Sequence, residues 1–234
     1  MIRGVSLSDL EMLKALSRCV TALLLWASAA TLQAAALDVT VTSAGQPVAD
    51  AVVTLMPIGK AAQTTPVEAV MDQVNSEFSP RVLVVPRGSR VRFPNSDRIR
   101  HQVYSFSPAK RFELPLYSGT PPAPVVFDSP GIVTVGCNIH DWMKGYIVVV
   151  DTAHFGKTDA LGRVQITAPP GEYLLTAWHE RLPSPDAAPK TQWVNGNEAL
   201  SAASLELPLA EPPPPRGSDR LRALQDRFRQ PSRD

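Results

Sequence analysis

The chain has 234 residues, 44% of them apolar, and its 23 Lys and Arg against 22 Asp and Glu leave a formal net charge of +1. That length bounds the protein at one or two compact domains, and the near-neutral balance excludes the basic excess of a nucleic-acid binder. The 23 prolines beside only 6% aromatic residues favour short strands and turns over long helices, so the expected class is all-β.

Residues 1–36 read as a secretory signal. Lys14 and Arg18 precede the apolar run 20–30, and Ala34, Ala35 and Ala36 supply a cleavage site near Ala36. The apolar run is too short to cross a bilayer, so no integral membrane span is expected and the predicted location is the periplasm. Asp9 and Glu11 sit oddly in such a leader, and Met12-Leu13-Lys14 makes a better beginning. Cys19 precedes the apolar run and is not placed for lipid attachment. Removal of the leader leaves Cys137 as the sole cysteine, which excludes an intramolecular disulfide.

Residues 37–41 alternate as a strand, 43–47 supply turn chemistry, and 51–55 read as a second strand that closes a β-hairpin with the first. Residues 58–65 form a connection. Strands are predicted at 71–74, 81–85 and 90–93, the last with charge outward and apolar side chains inward. Pro108, Pro115, Pro121, Pro122 and Pro124 argue against a long regular element between 105 and 124, which reads as a surface excursion. Short strands follow at 125–127 and 131–135, and 146–150 closes this region.

The chemistry concentrates in Gly136-Cys137-Asn138-Ile139-His140-Asp141-Trp142-Met143. Cys137, His140 and Met143 fall within seven residues, at Cys-x2-His-x2-Met spacing, directly after a strand-like run. Thiolate, imidazole and thioether suit copper in both oxidation states, and a trigonal His2Cys site with a weak axial Met is a known electron-transfer arrangement. His101 begins a strand just after Phe93-Pro94-Asn95-Ser96-Asp97 and can stand at the same end of a sandwich, completing the set His101, Cys137, His140 and Met143. A lone cysteine is ordinarily a small buried hydrophobe. The spacing of its neighbours outweighs that reading here.

On these residues the stretch 71–150 resembles the cupredoxins, the blue-copper proteins built on a Greek-key β-sandwich. The resemblance is carried, in the family's order, by Phe78-Ser79-Pro80, Val85-Pro86-Arg87-Gly88-Ser89-Arg90-Val91, Phe93-Pro94-Asn95-Ser96-Asp97, His101 and the Cys-His-Met loop. The short loop is similar to that of amicyanin, and its wording resembles plastocyanin-type proteins associated with methylamine utilisation. Two positions depart from the pattern: Gln102 stands where Asn commonly follows the first histidine and ties the ligand loops, and Arg100 replaces the usual Pro. The resemblance implies one type 1 copper ion, with Met143 as the weak axial ligand that tunes potential, and a role for Asn95 in bonding across the ligand loops. Trp142 and Tyr146 flank the loop and are expected to pack around the ligands.

From Phe155 the text changes. Gly156-Lys157-Thr158-Asp159-Ala160-Leu161-Gly162-Arg163-Val164-Gln165-Ile166 and Pro169-Pro170-Gly171-Glu172-Tyr173-Leu174-Leu175-Thr176-Ala177-Trp178 resemble later strands of carboxypeptidase regulatory-like domains, and Gly45-x-Pro47 with residues 51–55 resembles their opening strands. The division expected is a signal peptide at 1–36, the first strands of a small β-sandwich at 37–66, a copper domain at 67–151, the rest of the small sandwich at 152–209, and a Pro-rich linker with a basic tail at 210–234. The copper domain would thus be inserted, which is topologically easy where domain termini lie close together; a tandem order is the other possibility. Residues 193–209 have room for one more strand. In the tail, Ser218 can cap a short helix with Leu221, Leu224 and Phe228 on one face among arginines, a pattern able to contact a partner or a membrane surface.

These readings converge on a periplasmic carrier of single electrons between redox partners such as a dehydrogenase, cytochrome or oxidase, and not on an enzyme. The first rival is a copper-delivery protein, which the ligand set alone does not separate from a carrier. The second is a multicopper oxidase or nitrite reductase, which needs a second, histidine-rich site; only His154 and His179 remain for it. Arg98, Arg100, Lys110, Arg111 and Lys144 lie near the ligands in sequence and can form a basic rim that steers encounter.

Overall fold

A computed structural model describes residues 35–59, 63–121, 123–183, 190–195 and 202–211. Residues 1–34 of the leader expected at 1–36, and residues 212–234 of the linker and tail expected at 210–234, lie outside the described residues. In chain order the strands are β1 (Ala35–Ser43), β2 (Gln46–Pro47), β3 (Val52–Pro57), β4 (Glu68–Val70), β5 (Asp72–Val74), β6 (Glu77–Ser79), β7 (Val82–Pro86), β8 (Ser89–Arg92) and β9 (His101–Ser105). They continue with β10 (Phe112–Tyr117), β11 (Val125–Phe127), β12 (Gly131–Gly136), β13 (Lys144–Val150), β14 (His154–Lys157), β15 (Arg163–Ala168), β16 (Glu172–Trp178), β17 (Lys190–Asn195) and β18 (Ala202–Glu206). Among the described residues every regular element is a strand, so the class is all-β, as composition requires.

Two sandwiches result. In one, the sheet β15-β1-β18 faces the sheet β14-β3-β16-β17 across a core that includes Leu37, Val39, Val41, Val53, Leu55, Ile166 and Leu175. In the other, β10-β9-β12-β13-β7 faces β11-β8-β4 across Met71, Val85, Phe93, Val103, Phe127, Val133 and Ile147, with the ribbon β5-β6 alongside. The early strands are completed by late ones: Val39 stands opposite Val164, and Leu55 opposite Leu175.

Period-two alternation explains the local structure. Along β1, Leu37, Val39 and Val41 are buried while Asp38 is exposed; along β8, Ser89 and Val91 turn inward while Arg90 and Arg92 turn outward. β13 instead reads as a nearly unbroken apolar run because both its faces are covered. Ile147 and Val149 face the core of their own sandwich, whereas Tyr146, Val148 and Val150 join Val52, Val82, Trp178 and Leu182 in a third cluster that unites residues of the two sandwiches.

Five expectations change. Residues 51–55 do not close a hairpin with β1: β1 turns back on β2 at Ser43 and Gln46, and β3 crosses to the opposing sheet. The turn has Ala44 and Gly45 at positive φ, and Asp50 is again at positive φ before β3 begins, so the chain leaves the first sheet before it can pair again. Residues 105–124 contain the six-residue β10 despite Pro115; β10 is an edge strand with a register shift between Leu114 and Tyr117, the setting in which a strand tolerates proline. Among the described residues beyond 189 there are two strands, β17 and β18, in different sheets. Tyr146 packs on Trp178, ring centroids 5.4 Å apart, and not around the ligand loop. β1 also starts at Ala35, two residues ahead of the strand read from sequence.

Trp178 is 3% exposed in the cluster shared by the sandwiches. Truncation of a buried aromatic costs about 3–5 kcal/mol, so Trp178→Ala should lower unfolding free energy by that amount in denaturant titration. A loss below about 0.5 kcal/mol would show that the cluster does not hold the sandwiches together.

Candidate metal centre

Strand ends bring the candidate ligands together. β9 begins at His101; β12 ends at Gly136, one residue before Cys137; β13 begins at Lys144, one after Met143. Gly136 pairs with Lys144 at the mouth of the β12–β13 hairpin and with Tyr104 of β9, so the loop and His101 share one end of the sheet. Inside the loop, the Cys137 N–H donates to the Met143 carbonyl (3.2 Å), the His140 N–H to the Cys137 carbonyl (3.4 Å) and the Met143 N–H to the His140 carbonyl (2.9 Å). The seven residues are therefore closed on themselves as well as anchored on two paired strands.

One donor atom from each of His101, Cys137 and His140 lies within 4.8 Å of the others. Cys137 Sγ is 3.8 Å from His101 Nδ1, and the two imidazole centroids are 5.0 Å apart. His101 is 0% exposed, Cys137 3% and Met143 2%, and Met143 belongs to the same apolar cluster as Cys137. His140 is partly buried, and its ring lies 5.1 Å from that of the half-exposed Trp142.

The donor set fits a soft or borderline ion. His140 Nδ1 is buried with no hydrogen-bond partner, a condition that costs roughly 1–3 kcal/mol for an ordinary polar group and that metal coordination would relieve. Tetrahedral and trigonal sites built on thiolate and imidazole take copper or zinc, and the buried thioether of Met143 favours copper.

The surroundings hold the candidate ligands from behind. Asn95, 4% exposed, donates to the Ile99 carbonyl (2.9 Å) and the Tyr117 carbonyl (2.8 Å), tying the segment before His101 to β10. Gln102 donates to Glu113 at the exposed edge, 2.6 Å away, so its side chain engages β10. Tyr117 donates to the Phe93 carbonyl (2.6 Å) and accepts from Gln73; burial pushes its phenol up to about 12 against the opposing Gln73 bond, with the charges of Asp72 and Cys137 adding to the rise. Asp97 Oδ2 lies 2.7 Å from His101 Nε2, and its carboxyl accepts from the Asn75 and Ser76 amides. Burial acts to raise the Asp97 pKa, but the bonds from Ser76, His101 and Asn75 outweigh it and keep the carboxyl below its usual range.

Sequence reasoning included Asp97 in a motif without giving it a role; a carboxylate four residues before a candidate ligand histidine was the available signal. The Gln73–Tyr117 pair carries no such signal. Of the cations near the ligands in sequence, Arg98, Arg100, Arg111 and Lys144 are exposed, whereas Lys110 lies 3.7 Å from Asp128. Ile99, Ile139 and Trp142 are about half exposed beside the ligands in sequence.

No protein-family model matches the chain, and no curated protein matches it. Similar solved structures include the Cu-containing nitrite reductase of Thermus scotoductus SA-01, at 27% identity and TM-score 0.34, over 41% of this chain and 25% of that one. A purple cupredoxin from Nitrosopumilus maritimus matches at 23% identity and TM-score 0.31, over 36% of this chain and 99% of that one. A reduced amicyanin variant matches at 18% identity and TM-score 0.32, over 42% and 99%. The chain thus spans a quarter of the length of the nitrite reductase.

Asn95→Ala removes both donations from Nδ2 and leaves two carbonyls short of a partner, at about 1–3 kcal/mol. The variant should unfold at lower denaturant by that margin. Unchanged stability would mean that the loop before His101 is held by other contacts.

Proposed function

We propose that this protein is an exported type 1 copper protein that carries single electrons between redox partners and is not itself an enzyme. The observation that carries this reading is the convergence of His101, Cys137 and His140 within 4.8 Å, with Met143 buried beside Cys137 and a partnerless Nδ1 on His140. Copper, when bound, supplies exchange of one electron between Cu(II) and Cu(I). Cys137 provides the thiolate, His101 and His140 the imidazoles, and Met143 the weak axial sulfur. Three of the four sit on one loop closed by its own hydrogen bonds, an arrangement that resists movement when the charge at the site changes.

His101 is fully buried and His140 is not, so the His140 edge is the natural route for an electron to a partner. Exposed Arg98, Arg100 and Lys144 with half-exposed Ile99, Ile139 and Trp142 suit a partner surface that is apolar with an acidic margin. The remaining histidines have other partners: His154 Nδ1 lies 2.8 Å from the Thr167 carbonyl, and His179 Nδ1 accepts from the Arg181 amide. Export to the periplasm rests on the leader pattern alone. The described residues contain no helix long and apolar enough to cross a membrane. For the domain division, the pairing of β1 with β15 and of β3 with β14 and β16 supports a copper domain at 67–151 inserted into a small, carboxypeptidase regulatory-like sandwich.

The test is addition of Cu(II) to the purified protein. The parent should take one equivalent and develop intense thiolate-to-copper colour, Cys137→Ser should lose the colour while keeping the fold, and a parent that never colours would end the proposal. Met143→Leu should retain copper with a shifted potential, because an axial thioether is a weak contact; copper loss as complete as in His140→Ala would make Met143 a principal ligand. Rapid surrender of Cu(I) to a competing chelator would move the reading to copper delivery.

If the basic residues steer encounter, electron transfer to an acidic partner should slow as salt rises, since exposed charges are screened beyond roughly 8 Å at physiological ionic strength. Stopped-flow rates independent of salt would exclude steering by Arg98, Arg100 and Lys144.

A further inference from the structure

We infer that Asp97 is a positioning residue that fixes the tautomer of His101 and, through its charge, lowers the reduction potential of the centre. The inference rests on the copper reading above for its second half, and on the geometry of this chain alone for its first.

An ionised carboxylate only accepts hydrogen bonds. With Asp97 Oδ2 2.7 Å from His101 Nε2, the ring proton belongs on Nε2, and Nδ1, 3.8 Å from Cys137 Sγ, is left with its lone pair directed to the cluster of donors. The carboxylate is itself fixed from the far side. The Asn75 amide donates to Oδ1 (2.7 Å) and the Ser76 amide to Oδ2 (2.8 Å). Both donors belong to the turn between β5 and β6, where Asn75 and Ser76 have φ of 55° and 56°. Successive amides in a turn of this kind make a small anion-binding concavity. Asp72 fastens the same segment again, accepting from Ser96 Oγ at 2.7 Å. The ribbon β5-β6 thereby holds a negative charge against the back of His101 whether or not a metal is present.

An imidazole bonded to a carboxylate is a more basic ligand, and loss of such a partner typically weakens metal binding 10–100-fold. The stronger donor favours the more highly charged Cu(II), which lowers the potential. A turn brace with no influence on the centre is the competing account of Asp97, and Asp97→Asn separates the two. Asparagine keeps the length and the acceptor oxygen but removes the charge.

The first measurement needs no copper: nitrogen-15 NMR of the His101 ring in the metal-free protein should show the proton on Nε2 and a bare Nδ1, with the preference lost in Asp97→Ala. A proton on Nδ1 in the parent overturns the inference, and this readout decides even if a variant fails to fold or the copper reading fails. The second compares Cu(II) and Cu(I) affinities. Asp97→Asn should bind Cu(II) about tenfold or more weakly with little change for Cu(I), and each tenfold difference corresponds to a rise of about 59 mV in potential. Asp97→Glu should recover part of the shift. A folded Asp97→Asn protein with the parent's ratio of affinities would reduce Asp97 to a turn brace.

Discussion

The β12–β13 hairpin is the constraint from which the rest of the centre follows. Its strands pair residue for residue from Gly131 with Val149 to Gly136 with Lys144, so the loop that carries Cys137, His140 and Met143 has no freedom at its ends. β13 cannot shift, because Ile147 and Val149 are locked in one core while Tyr146, Val148 and Val150 are locked in another. Gly145 lets the ribbon approach: a Cβ there would stand 2.9 Å from Phe78 Cβ, closer than packed carbons come. Phe78 lies on β6, the strand that follows the Asn75–Ser76 turn, so the support of β13 and the support of His101 come from one ribbon.

The second sandwich acts on the centre through β13. The apolar cluster formed by Val52, Val82, Tyr146, Val148, Trp178 and Leu182 removes large side chains from water, at about 1.5–3 kcal/mol each. Polar links between the sandwiches contribute less. The Arg81–Glu180 pair at 2.7 Å is partly exposed, and such pairs are worth about 0–1 kcal/mol; Lys157 Nζ also donates to the Val82 carbonyl, at 3.4 Å. Burial on both faces of β13 therefore does most to keep the ligand loop in place.

Strands with one wet face were legible in the sequence, since Leu37, Val39 and Val41 or Val91 and Phe93 alternate with polar residues. The convergence of His101, Cys137 and His140 was legible as well, because two of these candidate ligands are close in sequence and the third opens a strand. Pairing across sheets was not. The turn at Ala44–Gly45 looked like the tip of a hairpin between 37–41 and 51–55, yet period-two patterns do not say which sheet receives the next strand. Pro115 hid β10 because an edge strand needs only half of its amides. Asp97 escaped although His101 follows it by four residues, because its other partners, Asn75 and Ser76, become neighbours only through the β5-β6 ribbon.

If His101, Cys137 and His140 hold copper as proposed, the chain presents a preformed site whose ligands barely move between oxidation states. X-ray absorption at the copper edge of the loaded protein, oxidised and then reduced, tests it most directly. One short copper–sulfur and two copper–nitrogen distances are expected in both states, with changes no larger than a small lengthening on reduction. Loss of a nitrogen ligand on oxidation or reduction, or a first shell without a short sulfur, would contradict it.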